Sequence, residues 1–370
     1  MLTDEDRKFG GYITRLIQKG DLTREEAREA FAAVIGDRTT EMQQGALLAA
    51  LTAKGETAYE VAGAWDAIYD LDTCRISIDD SDDLVENSGT GMDTFKTFNI
   101  STAASVLAAA GGIRMARHGA RAITSVCGTV DVAEALGVDV ECPVETVAAS
   151  IRKARIGLFN GMSSHVHPHA LGRILTRIAF GSTLNIAASL ANPVMPPRAV
   201  RGVYDRTQIL PVVQVMKAVG YRRAIVLHGT IDRSSLGMDE ASVCGTTYCA
   251  ELEPDGGIRE FCFRPEDFGL SVWSPEELSP SGDIACEAAR MTALLQGSLE
   301  GARLHAVLLN AGLVFYVANR AATITEGIAR SMASISSGAA WKTLEEWVAS
   351  QNRNPRDGLE RLRSVAVSRQ

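Results

Sequence analysis

Beyond residue 83 the chain alternates short apolar runs with helical stretches, a pattern that limits the fold to strands joined by helices. Leu84-Val85-Glu86-Asn87 reads as a strand running into a glycine turn. Residues 100–110 read as a helix stopped by Gly111-Gly112. Further strands are expected at 113–117, 199–204 and 224–227, with a helix over 208–219 between the last two. Such alternation predicts a mostly parallel sheet covered on both faces. The first seventy or so residues carry no strand pattern. Thr23 with Glu26 and Thr40 with Gln43 form capping boxes, in which a threonine hydroxyl and an acidic or amide side chain satisfy the first free N–H groups. Apolar residues then recur at helical spacing, through Ala27, Ala30, Phe31 and Val34, and through Met42, Ala46, Leu47, Ala50 and Leu51. Thr57 opens a fourth helix through Val61, Ala64, Trp65 and Ile68. The acidic loop 77–83 separates the two textures. Residues 283–350 read as helical again, and 168–190 as one long helical stretch that periodicity assigns to neither layer. The expected class is α/β: a small all-helical domain plus a larger α/β domain with a mostly parallel sheet flanked by helices.

The composition narrows the function classes. With 37 Lys+Arg against 45 Asp+Glu the net charge is −8, which argues against a nucleic-acid binder with its basic face. A length of 370 residues with 46% hydrophobic content fits about two cores. No uninterrupted apolar run approaches the roughly 20 residues of a membrane span. The acidic N-terminus lacks the apolar core of a signal peptide. Seven scattered cysteines do not form a disulfide framework, so a reducing, cytoplasmic setting is expected.

Three loops carry candidate chemistry. Asn87-Ser88-Gly89-Thr90-Gly91-Met92-Asp93 follows a strand, and Asn99-Ile100-Ser101-Thr102 opens the next helix. Glycines let the backbone approach a bulky anion, and a helix start offers N–H groups and the positive end of its dipole. The hydroxyls of Ser101 and Thr102 can donate to phosphate or ligate magnesium. No Gly-Lys-Ser/Thr follows the glycines and no third glycine completes a dinucleotide fingerprint, so neither of those loops is present. Arg117-His118-Gly119-Ala120-Arg121, continuing to Ser125-Val126-Cys127-Gly128-Thr129-Val130-Asp131, suits a polyanion such as pyrophosphate. Asp239-Glu240 can hold magnesium. Taken singly, each of these is as often a turn, a solvated basic loop or surface charge. Cys127 and Cys244 fall in the loops and read as small packing residues.

In combination these motifs resemble anthranilate phosphoribosyltransferases. The resemblance rests on the glycine loop, Thr97-Phe98-Asn99-Ile100-Ser101-Thr102, His118-Gly119-Ala120-Arg121, Ala133-Glu134-Ala135-Leu136-Gly137, Asn192-Pro193, Gly202-Val203-Tyr204-Asp205, Asp239-Glu240 and Leu308-Leu309-Asn310-Ala311, in that order over nearly the whole chain. It implies a helical domain from 1–76 joined by a returning segment near 167–190, an α/β domain from 80–166 and 191–370, and a homodimer through the helical domains. It implies that phosphoribosyl pyrophosphate meets Gly89, Thr90, Gly91, Asp93, Thr97, Asn99, Ser101, Thr102, Arg117, His118 and Gly119. Ser101 would also meet one Mg2+, and Asp239 and Glu240 a second. The reaction implied is magnesium-dependent transfer of phosphoribose to anthranilate or a related aromatic or heterocyclic acceptor, with neither nucleic acid nor membrane as partner.

The departures from the family pattern cluster at the acceptor side. Met92 replaces a glycine, Arg117 a lysine, Ala120 an asparagine, Thr129-Val130 a serine–alanine pair, and Ala188-Ser189 a Gly-Pro. The family's acceptor-binding arginine falls on Arg177 when anchored on His167-Pro168 and Gly181, and on Leu175 when anchored on Asn192-Pro193; the first is preferred. His165, His167 and His169 are not read as a metal cluster, because Pro168 would break the strand that could gather them. They read as loop histidines that line the acceptor pocket or are merely exposed. Thr129-Val130-Asp131 is closer to the pyrimidine nucleoside phosphorylases of the same superfamily, which is the second reading. A nucleic-acid-binding paralogue is the third.

Overall fold

The computed structural model describes residues 3–91, 93–121, 127–178 and 180–367. Met92, Ser125 and Val126, singled out above, lie outside the described residues. The chain opens with α1 (Asp4–Ile17), α2 (Arg24–Ile35), α3 (Glu41–Lys54) and α4 (Ala58–Leu71). All four start at a threonine capping box: Thr3 with Asp6, Thr23 with Glu26, Thr40 with Gln43, and Thr57 with Glu60. The sequence pattern announces the second and third as boxes, marks Thr57 only as a helix start, and gives no sign of the first. The alternating region follows as β1 (Leu84–Gly89), α5 (Ile100–Ala110), β2 (Arg114–Gly119), α6 (Thr129–Ala135), α7 (Val144–Ala154) and β3 (Ile156–Asn160). After it come α8 (Leu171–Leu175), α9 (Thr183–Ser189), β4 (Arg198–Gly202), α10 (Ile209–Val219), β5 (Arg223–Thr230), β6 (Gly237–Met238), β7 (Thr247–Leu252) and β8 (Ile258–Phe263). The chain closes with α11 (Ile284–Leu295), α12 (Ala302–Val317), α13 (Ile324–Ser336), α14 (Ala339–Ser350) and α15 (Pro355–Val367).

The strand order is β3-β2-β1-β4-β5-β7-β8, with β6 pairing β5. The first five run parallel, and β7 and β8 add an antiparallel edge that the strand–helix alternation does not announce. The order reverses between β1 and β4, because β2 and β3 extend the sheet one way and β4 and β5 the other. Ligands of such sheets bind where the order switches, at the carboxyl ends of the strands.

The expected single helix over 168–190 is instead two short helices, α8 and α9. Gly181 interrupts the stretch, and the Ser182 N–H donates to Asn185 Oδ1 at 2.8 Å to start the second piece. The apolar residues of both pieces, Ala170, Leu171, Ile174, Leu184 and Ala187, share a core with α1–α4, α10 and one sheet face through Ala199, Ala224 and Val226. The other face, through Val85, Met115, Val200 and Ile225, packs with α5 and α12. Ile100 to Ala109 of α5 are all buried, as a helix enclosed by sheet and helices must be. Among the described residues no helix is long and apolar enough to cross a membrane.

Candidate active site

Three adjacent strands, β2, β1 and β4, end on glycine: Gly119, Gly89 and Gly202. Gly89 and Gly202 pair directly across the switch point. Their missing side chains have a specific use. A Cβ on Gly89 would strike the Asp239 carboxylate, and one on Gly202 the Asp239 backbone carbonyl. The two glycines therefore let the loop after β6 close onto the strand ends. There Asp239 Oδ2 accepts from the Gly91 N–H at 2.6 Å, and Glu240 Oε1 from the Ser101 N–H at 3.0 Å, at the start of α5. Asn310 of α12 fixes this loop from behind, donating to Ala241 O at 3.0 Å and accepting from Ala241 N–H at 2.9 Å.

Arg117 is 1% exposed and does not face solvent. Its guanidinium donates to Thr102 Oγ1 at 2.7 Å, Ser101 Oγ at 3.0 Å and Asn87 O at 3.2 Å. Because a guanidinium only donates, these bonds fix the two hydroxyls with a lone pair toward Arg117 and leave their own O–H free to donate elsewhere. Burial pushes the Arg117 pKa down to about 10, against the charges of Glu240 and Glu86, so it stays cationic at neutral pH. Asn99 donates to Cys127 O at 3.2 Å, tying the helix start to the loop ahead of α6. Thr97 and Thr90 lie half-buried beside this start, and Thr90 Oγ1 is a buried oxygen with no hydrogen-bond partner among the described residues.

Three carboxylates converge. Asp93, Asp239 and Glu240 are each buried and within one another's field. Burial and the Asp239 charge raise Asp93 to about 6, and the same two causes raise Glu240 to about 8. Burial raises Asp239 as well, opposed by the Gly91 N–H. Lys96 pairs with Asp93 at 2.8 Å. A cluster of buried acids bonded mainly to N–H groups, next to an unpartnered Thr90 hydroxyl, is a donor set that fits a hard divalent cation. Among the described residues no three His, Cys, Asp or Glu gather tightly enough to hold a metal alone, so water and a ligand's oxygens would complete the shell.

His118, next to Arg117 in the same strand, points to the opposite face. His167 Nδ1 lies 2.8 Å from Asp72 O, an acceptor, so that nitrogen carries the proton. His167 Nε2 then has a lone pair and lies 3.3 Å from His118 Nε2, while His118 Nδ1 lies 3.4 Å from Ser189 O. Both rings are neutral: burial drives His118 down to about 3, with His167 adding to it, and burial lowers His167 too. Asp72, fully buried at the end of α4, also accepts the N–H groups of His169, Ala170 and Leu171. It thereby hangs the histidine segment from the bundle. No sequence motif marked Asp72, and Asn310 stood in a motif of the resemblance without a role.

The remaining expected residues do not all join. Ala120 is half-buried beside Gly119, and its carbonyl accepts from Val130 N–H. His165 and His169 are exposed. Arg177 is ion-paired with Glu41 and its side chain is 61% exposed, away from the histidine pair. Arg121, read with Arg117 and His118 as one cationic pocket, is bonded to Asp131, Glu134 and Glu141.

Residues 81–341 match the model of the glycosyl transferase family, a/b domain, and residues 11–71 that of the glycosyl transferase family, helical bundle domain. The anthranilate phosphoribosyltransferase of Anaeromyxobacter dehalogenans (strain 2CP-C) is 37% identical over 338 residues, 91% of this chain and 97% of its own. That of Myxococcus xanthus (strain DK1622) is 37% identical over 329 residues, 89% of this chain and 94% of its own. The crystal structure of anthranilate phosphoribosyltransferase from Thermus thermophilus superimposes with a TM-score of 0.82 at 30% identity, covering 92% of this chain and 99% of that one. The Saccharomyces cerevisiae enzyme in complex with PRPP and Mg shares the fold, with a TM-score of 0.81 at 21% identity over 94% of this chain and 98% of that one. A helical bundle, a parallel sheet with its glycine loop at the switch point and relatives matched over nearly their full length leave one assignment: the chain belongs to the anthranilate phosphoribosyltransferase family of glycosyltransferases.

Proposed function

We propose that this protein transfers phosphoribose from phosphoribosyl pyrophosphate to the amine of anthranilate or a close aromatic relative, releasing pyrophosphate. The observation that carries this reading is the convergence, at the β1–β4 switch, of the glycine loop, the Arg117-oriented hydroxyls of α5 and the carboxylates of Asp239 and Glu240. In this reading Gly89, Thr90, Gly91, Asp93, Thr97 and Asn99 surround the substrate's phosphates. Ser101 and Thr102 turn their free O–H groups to those phosphates, and Thr90 Oγ1 gains the partner it lacks. Arg117 keeps the hydroxyls aimed, and Gly119 gives the ribose room beside His118. Asp239, Glu240 and Ser101 would hold magnesium, which when bound neutralises charge growing on the departing pyrophosphate. The amine nitrogen attacks C1′, the bond from C1′ to the pyrophosphate oxygen breaks with its electron pair leaving on that oxygen, and the resulting ammonium loses its proton. The chain's contribution is positioning and fixed dipoles rather than a strong base.

The acceptor would enter on the opposite face, where His118 and His167 present uncharged rings. The reading includes a homodimer through the bundle, where Ile17, Met42 and Tyr59 are exposed, and a cytoplasmic setting. Sedimentation tests the first. Calorimetry tests the reaction class: phosphoribosyl pyrophosphate should bind only with magnesium present, whereas a phosphorylase would be indifferent to the metal. An acceptor screen that follows pyrophosphate release should then find anthranilate or a near relative. Asp239→Ala with Glu240→Ala should remove magnesium-dependent turnover, and wild-type rates from that double variant would refute the metal assignment.

A further inference from the structure

The register of the sheet places three polar side chains in one row. Ser88 of β1 pairs with Arg201 of β4. β1 pairs with β2 as Leu84 with Arg114 and Val85 with Met115, and the same offset carried forward sets Ser88 opposite His118. Side chains of one row share a face of the sheet. This row lies one residue before the terminal glycines, on the face toward α9 and the bundle. Arg201 closes the row into a floor: its guanidinium donates to Ser88 Oγ and to Ser189 Oγ at the end of α9. The Ser189 carbonyl in turn lies 3.4 Å from His118 Nδ1.

Arg201 is 2% exposed. The partners given for its guanidinium are two neutral hydroxyls, and among the described residues no carboxylate stands within ion-pair distance of it. Glu86 is near enough to feel its charge, but the Glu86 oxygens are engaged by Tyr221 at 2.9 Å and Asn192 at 3.4 Å. Asp239 feels its charge too, but neither carboxylate is bonded to it, and a buried cation with only hydroxyl partners retains unused donors. The other basic groups are unsuited to an anion here. His118 and His167 are buried rings whose Nε2 atoms face each other, and Arg177 is drawn out to Glu41. Arg173 donates to Gln44 at 3.2 Å and Val34 O at 3.0 Å. Among the side chains named on this floor, Arg201 is the one with a fixed positive charge.

We infer that Arg201 selects the acceptor, its guanidinium receiving the carboxylate of an aromatic amino acid whose amine sits ortho to that group, with Ser88 and Ser189 holding the fork in place. The inference rests on the phosphoribosyl transfer proposed above. It assigns the acceptor charge to β4 rather than to the segment after His167-Pro168, and it makes the carboxylate, not the ring, the feature that is read.

Steady-state kinetics of the full chain with phosphoribosyl pyrophosphate and magnesium test it, using anthranilate and aniline as paired acceptors. Wild type should favour anthranilate strongly in kcat/KM. Arg201→Met should raise the anthranilate KM by about 10- to 100-fold, as expected for a lost charge-assisted pair, leave the KM for phosphoribosyl pyrophosphate nearly constant, and erase the preference over aniline. Arg201→Lys should restore part of that preference. If Arg201→Met does not fold, Ser189→Ala, which frees the fork without removing its charge, should still raise the anthranilate KM. A folded Arg201→Met with wild-type discrimination overturns the inference, as does Arg177→Ala carrying the loss instead, while phosphoribosyl transfer itself stands. Wild type releasing no pyrophosphate with either acceptor overturns the transfer reading and this inference together.

Discussion

Arg117 and His118 are neighbours in sequence and opposites in structure. The strand's two-residue period sends the arginine to α5 and the histidine to the bundle side, so one dipeptide contributes to two half-sites. Both were legible as candidate site residues, but not as facing opposite sides of the sheet. The sequence alone groups them with Arg121 into a single cationic pocket, and Arg121 is consumed by carboxylates from α6 and its flank. Pairing across a distance is what a linear reading cannot see. Arg117→Lys should keep the charge and lose the fork that aims two hydroxyls. The expected outcome is about 10-fold weaker binding of phosphoribosyl pyrophosphate by calorimetry, with the thermal midpoint lowered by a few degrees. His118 makes a pH prediction. Its folded pKa, about 3, lies below the ordinary histidine value, so the stability it contributes is present above about pH 6.5 and is lost as pH falls toward 3. Against His118→Gln, wild type should lose about 1.4 kcal/mol more for each pH unit below 6, measured by urea titration between pH 7 and 5.

Elements show the same division between what is local and what is not. The threonine boxes at Thr23 and Thr40 and the turn at Gly111-Gly112 are written within a few residues, and each sits where the sequence puts it. The break at Gly181 was overridden by the apolar pattern on either side, which continues because both pieces face one core. The loop carrying Asp239 and Glu240 is the strongest case. As a motif it was readable, but its burial against Gly89 and Gly202 depends on a contact between segments far apart in sequence. Gly202→Ala would push a methyl into the Asp239 carbonyl, so it should destabilise the chain by about 1–3 kcal/mol and weaken the magnesium-dependent thermal shift with it. The carboxylates of this loop are held together against burial and mutual repulsion. Asp239→Asn with Glu240→Gln keeps the shapes and removes the charges. In calorimetric scans at pH 8 without metal, the double variant should melt higher than wild type while gaining nothing from magnesium, the signature of stability given up for a binding function.

At the scale of the molecule, the sheet separates the core with α5 and α12 on one face from the bundle core and a smaller cluster around α7 on the other. The strand–helix alternation and the strandless first seventy residues were enough to anticipate an all-helical part and a mostly parallel sheet covered by helices. They did not show how the bundle reaches the site. That linkage is polar, partly exposed at Arg24 and buried at Trp65 and Asp72. Arg24 of α2 pairs with Asp66 at 2.7 Å and donates to Ala218 O at 2.8 Å at the end of α10, and Trp65 Nε1 donates to Leu190 O at 3.0 Å. Asp72 completes it by gathering three successive N–H groups of the segment that follows His167. Because Asp72 O also fixes the His167 tautomer, the end of α4 controls both the position and the proton of His167. Asp72→Ala strips three charge-assisted bonds and leaves the N–H groups buried without partners, a cost of about 3 kcal/mol or more. The magnesium side, on the other face of the sheet, touches none of these groups. The variant should therefore raise the anthranilate KM at least about 10-fold while binding phosphoribosyl pyrophosphate nearly as wild type does, and hydrogen exchange should rise across 167–190 more than across 84–119. Equal loss of both substrates would mean that the bundle supports the whole molecule rather than the acceptor half.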